Sequence, residues 1–141
     1  MSGLDAIAVK VEGFAAGDAA NAIPLLHEIR HALLRLAETG EPTTIDLSAI
    51  PFGPGDRDKL FEALGEGEVS ASVDALGETR VNETRYPGVW VVHHNSPTGD
   101  ELVTHIEVTR LPSMLTTPEE DLGEAAAQLA ADLDTDSTDN S

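Results

Sequence analysis

The chain has 141 residues, 40% hydrophobic, 24% charged and only 4% aromatic, with no cysteine and a formal net charge of −18. One domain with its own core fits that length, and the lack of cysteine excludes disulfides, thiolate zinc sites, cysteine nucleophiles and cysteine-held iron–sulfur clusters. So acidic a surface repels phosphate backbones and anionic lipid, so no nucleic acid and no membrane is expected as a partner; the charge either suits a basic partner or only keeps the protein soluble.

The N-terminal MSGLDAIAVKVEGFAA lacks a basic start followed by a continuous apolar stretch and does not read as a signal peptide. No later apolar run is long enough to span a bilayer. A cytoplasmic location is the expectation. Within the same stretch, Ala6 to Val11 fits a short strand.

Asp18 or Asn21 can cap a helix that runs to about Thr39 and stops at Gly40 and Pro42. Ile23, Leu26, Ile29, Leu33 and Leu36 recur at helical spacing and are expected to face the core. Thr43 to Leu47 alternates as a strand, with Thr43, Ile45 and Leu47 pointing one way. After the loop Pro51 to Gly55, a second helix begins near Asp56, turns Leu60, Phe61 and Leu64 inward and ends at Gly65.

The period then changes to two. Val69 to Val73, Arg80 to Arg85, Val89 to Asn95 and Leu102 to Thr109 read as strands, and Asn95-Ser-Pro-Thr-Gly99 as the turn between the last two. Trp90, Val92, Leu102, Ile106 and Val108 are the expected core positions. The layout is α+β: two main helices packed on a mostly antiparallel sheet of about four to six strands. The ordered domain covers about residues 1–118. Residues 119–141 hold eight acidic side chains and no Lys or Arg. They read as an acidic helix, with Leu122, Ala126, Leu129 and Leu133 on one side, followed by a disordered tail after about Leu133.

His27-Glu28-Ile29-Arg30-His31 matches the H-E-x-x-H string of zinc proteases, in which two His one turn apart share a metal and the Glu activates its water. A zinc-dependent hydrolase on His27, Glu28 and His31 is therefore the alternative function. Against it, a third protein ligand is not evident, Glu38 and Glu41 lie too near in sequence to be the distant one, and Arg30 places a fixed cation beside His31. Ile29 sits about 200° around the helix from either His, so the pair is expected off the core face, as a polar flank. If Trp90 pairs with Ile106 across the hairpin, His93 and His105 lie diagonally on one face near Glu107. Such a cluster serves a metal or a partner carboxylate, or is the solvated side of a hairpin. Gly53-Pro-Gly55 lacks a donor that a phosphate cradle needs, and no serine sits in a nucleophile elbow. No catalytic, metal or cofactor residue is assigned.

Pro24-Leu-Leu-His-Glu-Ile-Arg-His31, Thr39-Gly-Glu-Pro42, Ile45-Asp-Leu47, Pro54-Gly-Asp56, Ala63-Leu-Gly65, Gly67-Glu-Val-Ser-Ala71, Glu83-Thr84, Pro87-Gly-Val-Trp90 with His93, and Ile106-Glu-Val108 occur in that order. This succession, from about Ile23 to Pro112, resembles the domain of the HupH/HyaF hydrogenase expression proteins. The resemblance implies a non-enzymatic accessory role in maturing nickel–iron uptake hydrogenases. It implies as partners the hydrogenase small subunit or its precursor, before twin-arginine export, and other hydrogenase accessory proteins. Typical members carry two copies of the domain. A single copy is either completed as a homodimer or stands alone. The expected partner surface is Glu68, Glu83, Arg85, Pro87, Gly88, His93, His105 and Glu107. Pro87 cannot donate to a ladder, so Glu83 to Trp90 is expected to hold a bulge or an edge to which an extended peptide adds, with Glu68, Glu83 and Glu107 meeting Arg side chains of the client.

Overall fold

A computed structural model describes residues 21–74 and 76–139, so the expected strand from Ala6 to Val11 lies outside the described residues. Two compact units divide between Arg110 and Leu111. The first holds helix α1 (Ala22–Thr39), strand β1 (Thr43–Asp46), helix α2 (Asp56–Leu64) and strands β2 (Ser70–Asp74), β3 (Glu78–Glu83), β4 (Val89–Asn95) and β5 (Glu101–Val108). The second holds a 3-10 turn (Ser113–Leu115) and helix α3 (Glu119–Asp139). Among the described residues no helix is long and apolar enough to cross a membrane.

The strands form one antiparallel sheet in the order β1-β5-β4-β3-β2. The last four strands are a meander, and β1 closes it beside β5. The α+β expectation therefore holds. One face packs on both helices: Ile45, Val89, Val91, Ile106 and Val108 join Leu25, Ile29, Leu60 and Leu64 in one core. Burying such side chains is what holds a helix on a sheet, at about 1.5–3 kcal/mol for each large one.

The helix ends follow local signals. Gly40 takes the left-handed conformation (φ 77°) and its N–H donates to Leu36 O at 2.8 Å, closing α1 where the sequence places its stop. At the other end Asn21 makes no side-chain cap bond to α1. Its Nδ2 donates instead to Pro51 O and to Asp56 Oδ2. The buried line of α1 is Ala22, Leu25, Ile29 and Ala32, with Leu26, Leu33 and Leu36 packed at its margin. The expected stripe of larger residues is thus displaced: Leu25 and Ile29 stay central, and the small Ala22 and Ala32 take the buried places at either end of the line.

Two expectations fail in the meander. Trp90 pairs with Glu107, and it is Val91 that faces Ile106. Because side chains alternate along a strand, this one-residue difference puts Trp90 and Val92 on the face opposite Ile106 and Val108. Both faces are buried at the centre: Val81, Trp90 and Val92 form a second apolar row away from the helices. Leu102 is not core. It sits next to a register shift at His94 and Asn95, near the hairpin end, and is 62% exposed. In the second unit, α3 spans Glu119–Asp139 and so extends past Leu133. Its support is local, as in Gln128 Nε2 donating to Asp132 and Thr135 Oγ1 to the Ala131 carbonyl.

Candidate functional site

Two depressions flank α2. The first, about 320 Å³, lies between α2 and the helix-side face of β2, β3 and β4. Phe61 and Leu64 form its apolar wall, Glu66, Gly67 and Val69 its rim, and Ser70, Arg80, Asn82, Val91 and His93 its floor. These five floor positions share a face because direct partners across an antiparallel ladder point the same way. Ser70 Oγ donates to Asn82 Oδ1 at 2.7 Å.

His93 joins this cleft to a polar network at the end of α2. Arg57 Nη2 donates to Glu101 Oε1 at 2.5 Å and to Thr104 Oγ1 at 2.9 Å, and the Thr104 hydroxyl donates to Glu101 at 2.5 Å. His93 Nδ1 lies 3.0 Å from Thr104 Oγ1 and 3.3 Å from Glu101 Oε1. The Arg57 hydrogen bond, then that of Thr104, hold the Glu101 carboxyl down at about 2. Glu101 is therefore an anion at any physiological pH. Arg57 also stands over the Phe61 ring, at 5.4 Å, and Phe61 meets His93 at 5.9 Å between centroids.

The second depression is an apolar groove of about 370 Å³ between α1 and α2. Ile23, Leu26, Ile29 and Leu33 line it from α1, Ala63 and Leu64 from α2, and Tyr86 from the β3–β4 connection. Its polar lining is basic: His27, Arg30 and Arg85. Arg85 lies against Tyr86, 5.3 Å from the ring centroid.

The H-E-x-x-H string falls on the outer side of α1, where His27, Glu28 and His31 are exposed, as the helical geometry requires. Arg30 Nη2 lies 3.2 Å from His31 Nε2, so a guanidinium stands where a metal held by that nitrogen would be. Among the described residues no three His, Asp or Glu side chains converge as metal ligands do.

The expected partner surface is divided. Glu83 and His93 line the polar cleft, and Glu68 is exposed on the loop beside it. Arg85 lines the apolar groove. His105 and Glu107 lie on the opposite face of the sheet, with Nε2 and Oε1 3.9 Å apart. There His105 meets the His94 ring at 5.4 Å. Burial pushes the His105 pKa down, against the pull of Glu107 and with a further push from His94. The diagonal placing of His93 and His105 on one face, which required Trp90 opposite Ile106, therefore does not occur: His93 is opposite Thr104 and His105 opposite Val92.

Nor is Glu83 to Trp90 an edge. β3 and β4 are interior strands, and the segment's backbone is engaged: Glu83 N donates to Val69 O, Thr84 N to Val89 O and Arg85 N to Leu64 O, each at 2.9 Å. Pro87 and Gly88 close a tight turn in which buried Thr84 accepts from Tyr86 N at 3.1 Å. Among the described residues the outermost strands of this sheet are β1 and β2. Sequence reasoning also missed Arg57, Glu101 and Thr104. Thr104 was legible, because it alternates with Ile106 and Val108. Arg57 and Glu101 are 44 positions apart and carry no local signal.

Comparison with known proteins agrees with this architecture. A solved structure, the hydrogenase expression protein HupH from Thiobacillus denitrificans, superposes with a TM-score of 0.78 at 43% identity, covering 82% of this chain and 96% of that one. The hydrogenase expression/formation protein HoxQ of Azotobacter vinelandii is 35% identical over 77% of this chain, and HupH of Rhizobium leguminosarum bv. viciae 31% identical over 83%. The chain spans about two fifths of the length of these relatives, 39% and 42%. The family model for the C-terminal conserved region of the HupH hydrogenase expression protein matches residues 19–135, and the chain belongs to that family.

Proposed function

We propose that this domain is a non-catalytic binding module in the maturation of a nickel–iron uptake hydrogenase, acting in the cytoplasm on the small subunit or its precursor before twin-arginine export. The observation that carries the reading is the family match over residues 19–135, shared with relatives named as hydrogenase expression/formation proteins. The site geometry supports it. A polar cleft with Glu66 and Glu83 at its margin and Glu68 beside it offers carboxylates to a basic client segment.

The test is affinity capture. The tagged protein is expected to retain the small-subunit precursor from cells making the hydrogenase and to leave the large subunit behind. Capture of the large subunit alone would refute the choice of client. The absence of catalysis is tested separately. Zinc that survives dialysis at one equivalent, together with peptidase activity lost in Glu28→Gln, would refute the non-catalytic reading.

A further inference from the structure

We infer that the groove between α1 and α2 receives helix α3 of a second copy of this chain, giving a homodimer held by two equivalent helix-in-groove contacts. Two independent features meet in this assignment. The first is α3 itself. Leu122, Leu129 and Leu133 lie seven and four positions apart, within about 60° of helical arc. They are 58%, 61% and 57% exposed, so the helix presents an apolar stripe to solvent. A stripe of that kind on a water-soluble helix is what a hydrophobic groove binds.

The second feature is the groove. Its walls are aliphatic, from Ile23, Leu26, Leu33 and Ala63, and its charged lining is Arg30 and Arg85. These are two of only eight Lys and Arg residues in a chain of net charge −18. Neither forms an ion pair with a described residue. The complementary element must therefore be apolar along one side and acidic beside it. α3 answers both demands: Glu119 lies about 60° from Leu122 round the helix, and Asp132 and Asp121 about 80–100° on its other side, so acidic side chains flank the stripe, and no Lys or Arg occurs from Glu119 onward. The stripe from Leu122 to Leu133 extends about 16 Å, within the length of α1 at about 27 Å. Among the described residues each copy offers this groove and this stripe, so a reciprocal two-fold arrangement satisfies all four surfaces and closes.

The absence of cysteine makes disulfide trapping clean. Arg30→Cys and Leu129→Cys are made in separate, differently tagged full-length proteins, mixed and oxidised. A cross-link between the two tags is the expected result. A double variant carrying both substitutions reports the alternative: a cross-link confined within one chain overturns the proposal. In light scattering, the unsubstituted protein is expected to be dimeric at tens of micromolar. Leu129→Ser with Leu133→Ser is expected to raise the dimer dissociation constant by roughly tenfold or more, as loss of central apolar anchors does. Circular dichroism checks that this variant stays folded. Arg30→Glu with Arg85→Glu is expected to weaken the dimer most at low salt. A monomer at every concentration, or a dimer unmoved by the leucine substitutions, overturns the assignment.

Discussion

Asn21 Nδ2 donates to Asp56 Oδ2 at 2.9 Å, tying the residue before α1 to the first residue of α2 across 35 positions of sequence. The same Asp56 oxygen accepts from Gly53 N at 2.7 Å, and Asp56 is 4% exposed. One carboxylate thus organises the loop into α2 and fixes where α1 begins. Asp56→Ala leaves two part-buried donors without their acceptor. It is expected to destabilise the fold by about 1–3 kcal/mol in urea unfolding. A loss under half a kilocalorie would show that water replaces the carboxylate at no cost.

Gly88 is held at φ 96°, a conformation that side chains disfavour, and a Cβ there would lie 3.2 Å from Leu33 Cδ2. Its carbonyl also accepts from Thr109 N at 2.9 Å, so the turn cannot easily relax. Gly88→Ala is expected to cost about 1–3 kcal/mol and to lower the thermal midpoint. A midpoint equal to that of the unsubstituted protein would mean that α1 yields at Leu33.

His105 sets a pH dependence. Burial lowers its folded pKa below the ordinary value of 6.5, with Glu107 and Asp46 opposing and His94 adding to the shift. The folded state therefore prefers the neutral ring. Above about pH 6.5 both states are neutral and this contribution to stability is complete. As pH falls below 6.5 towards the folded pKa, the unfolded chain binds the proton first and stability declines. His105→Gln is expected to flatten that part of the curve between pH 7.5 and 5.5. Parallel curves for the two proteins would show that His105 does not carry it.

The acidic margin of the polar cleft can be reversed without touching the core, since Glu66 and Glu68 are exposed. Glu66→Lys with Glu68→Lys is expected to reduce retention of the small-subunit precursor by about two- to tenfold at low salt, the scale of two exposed ion pairs. The loss should shrink as salt rises. Retention that is unchanged would remove this margin from the client surface.

Much of this molecule could be read from local pattern. Gly40 and Gly65 end their helices because the backbone needs a residue that accepts positive φ, a requirement visible in the sequence itself. Alternation in Thr43 to Leu47 and in β5, and the turn Ser96 to Gly99, follow from period and turn chemistry in the same way. So does the outward position of His27 and His31, which helix geometry alone requires. Register is different in kind. Pairing Trp90 with Glu107 rather than Ile106 depends on the shift beside Asn95, and that one step sends His93 to the helices and His105 to the opposite face. The engagement of Glu83 to Trp90 inside the sheet depends on β2 lying outside β3, a long-range choice with no local mark. The network of Arg57, Glu101 and His93, and the apolar groove beside α1, exist only once distant segments pack. Local signals set each residue's dihedral angles, whereas partners across a sheet are chosen by which faces the whole chain can bury.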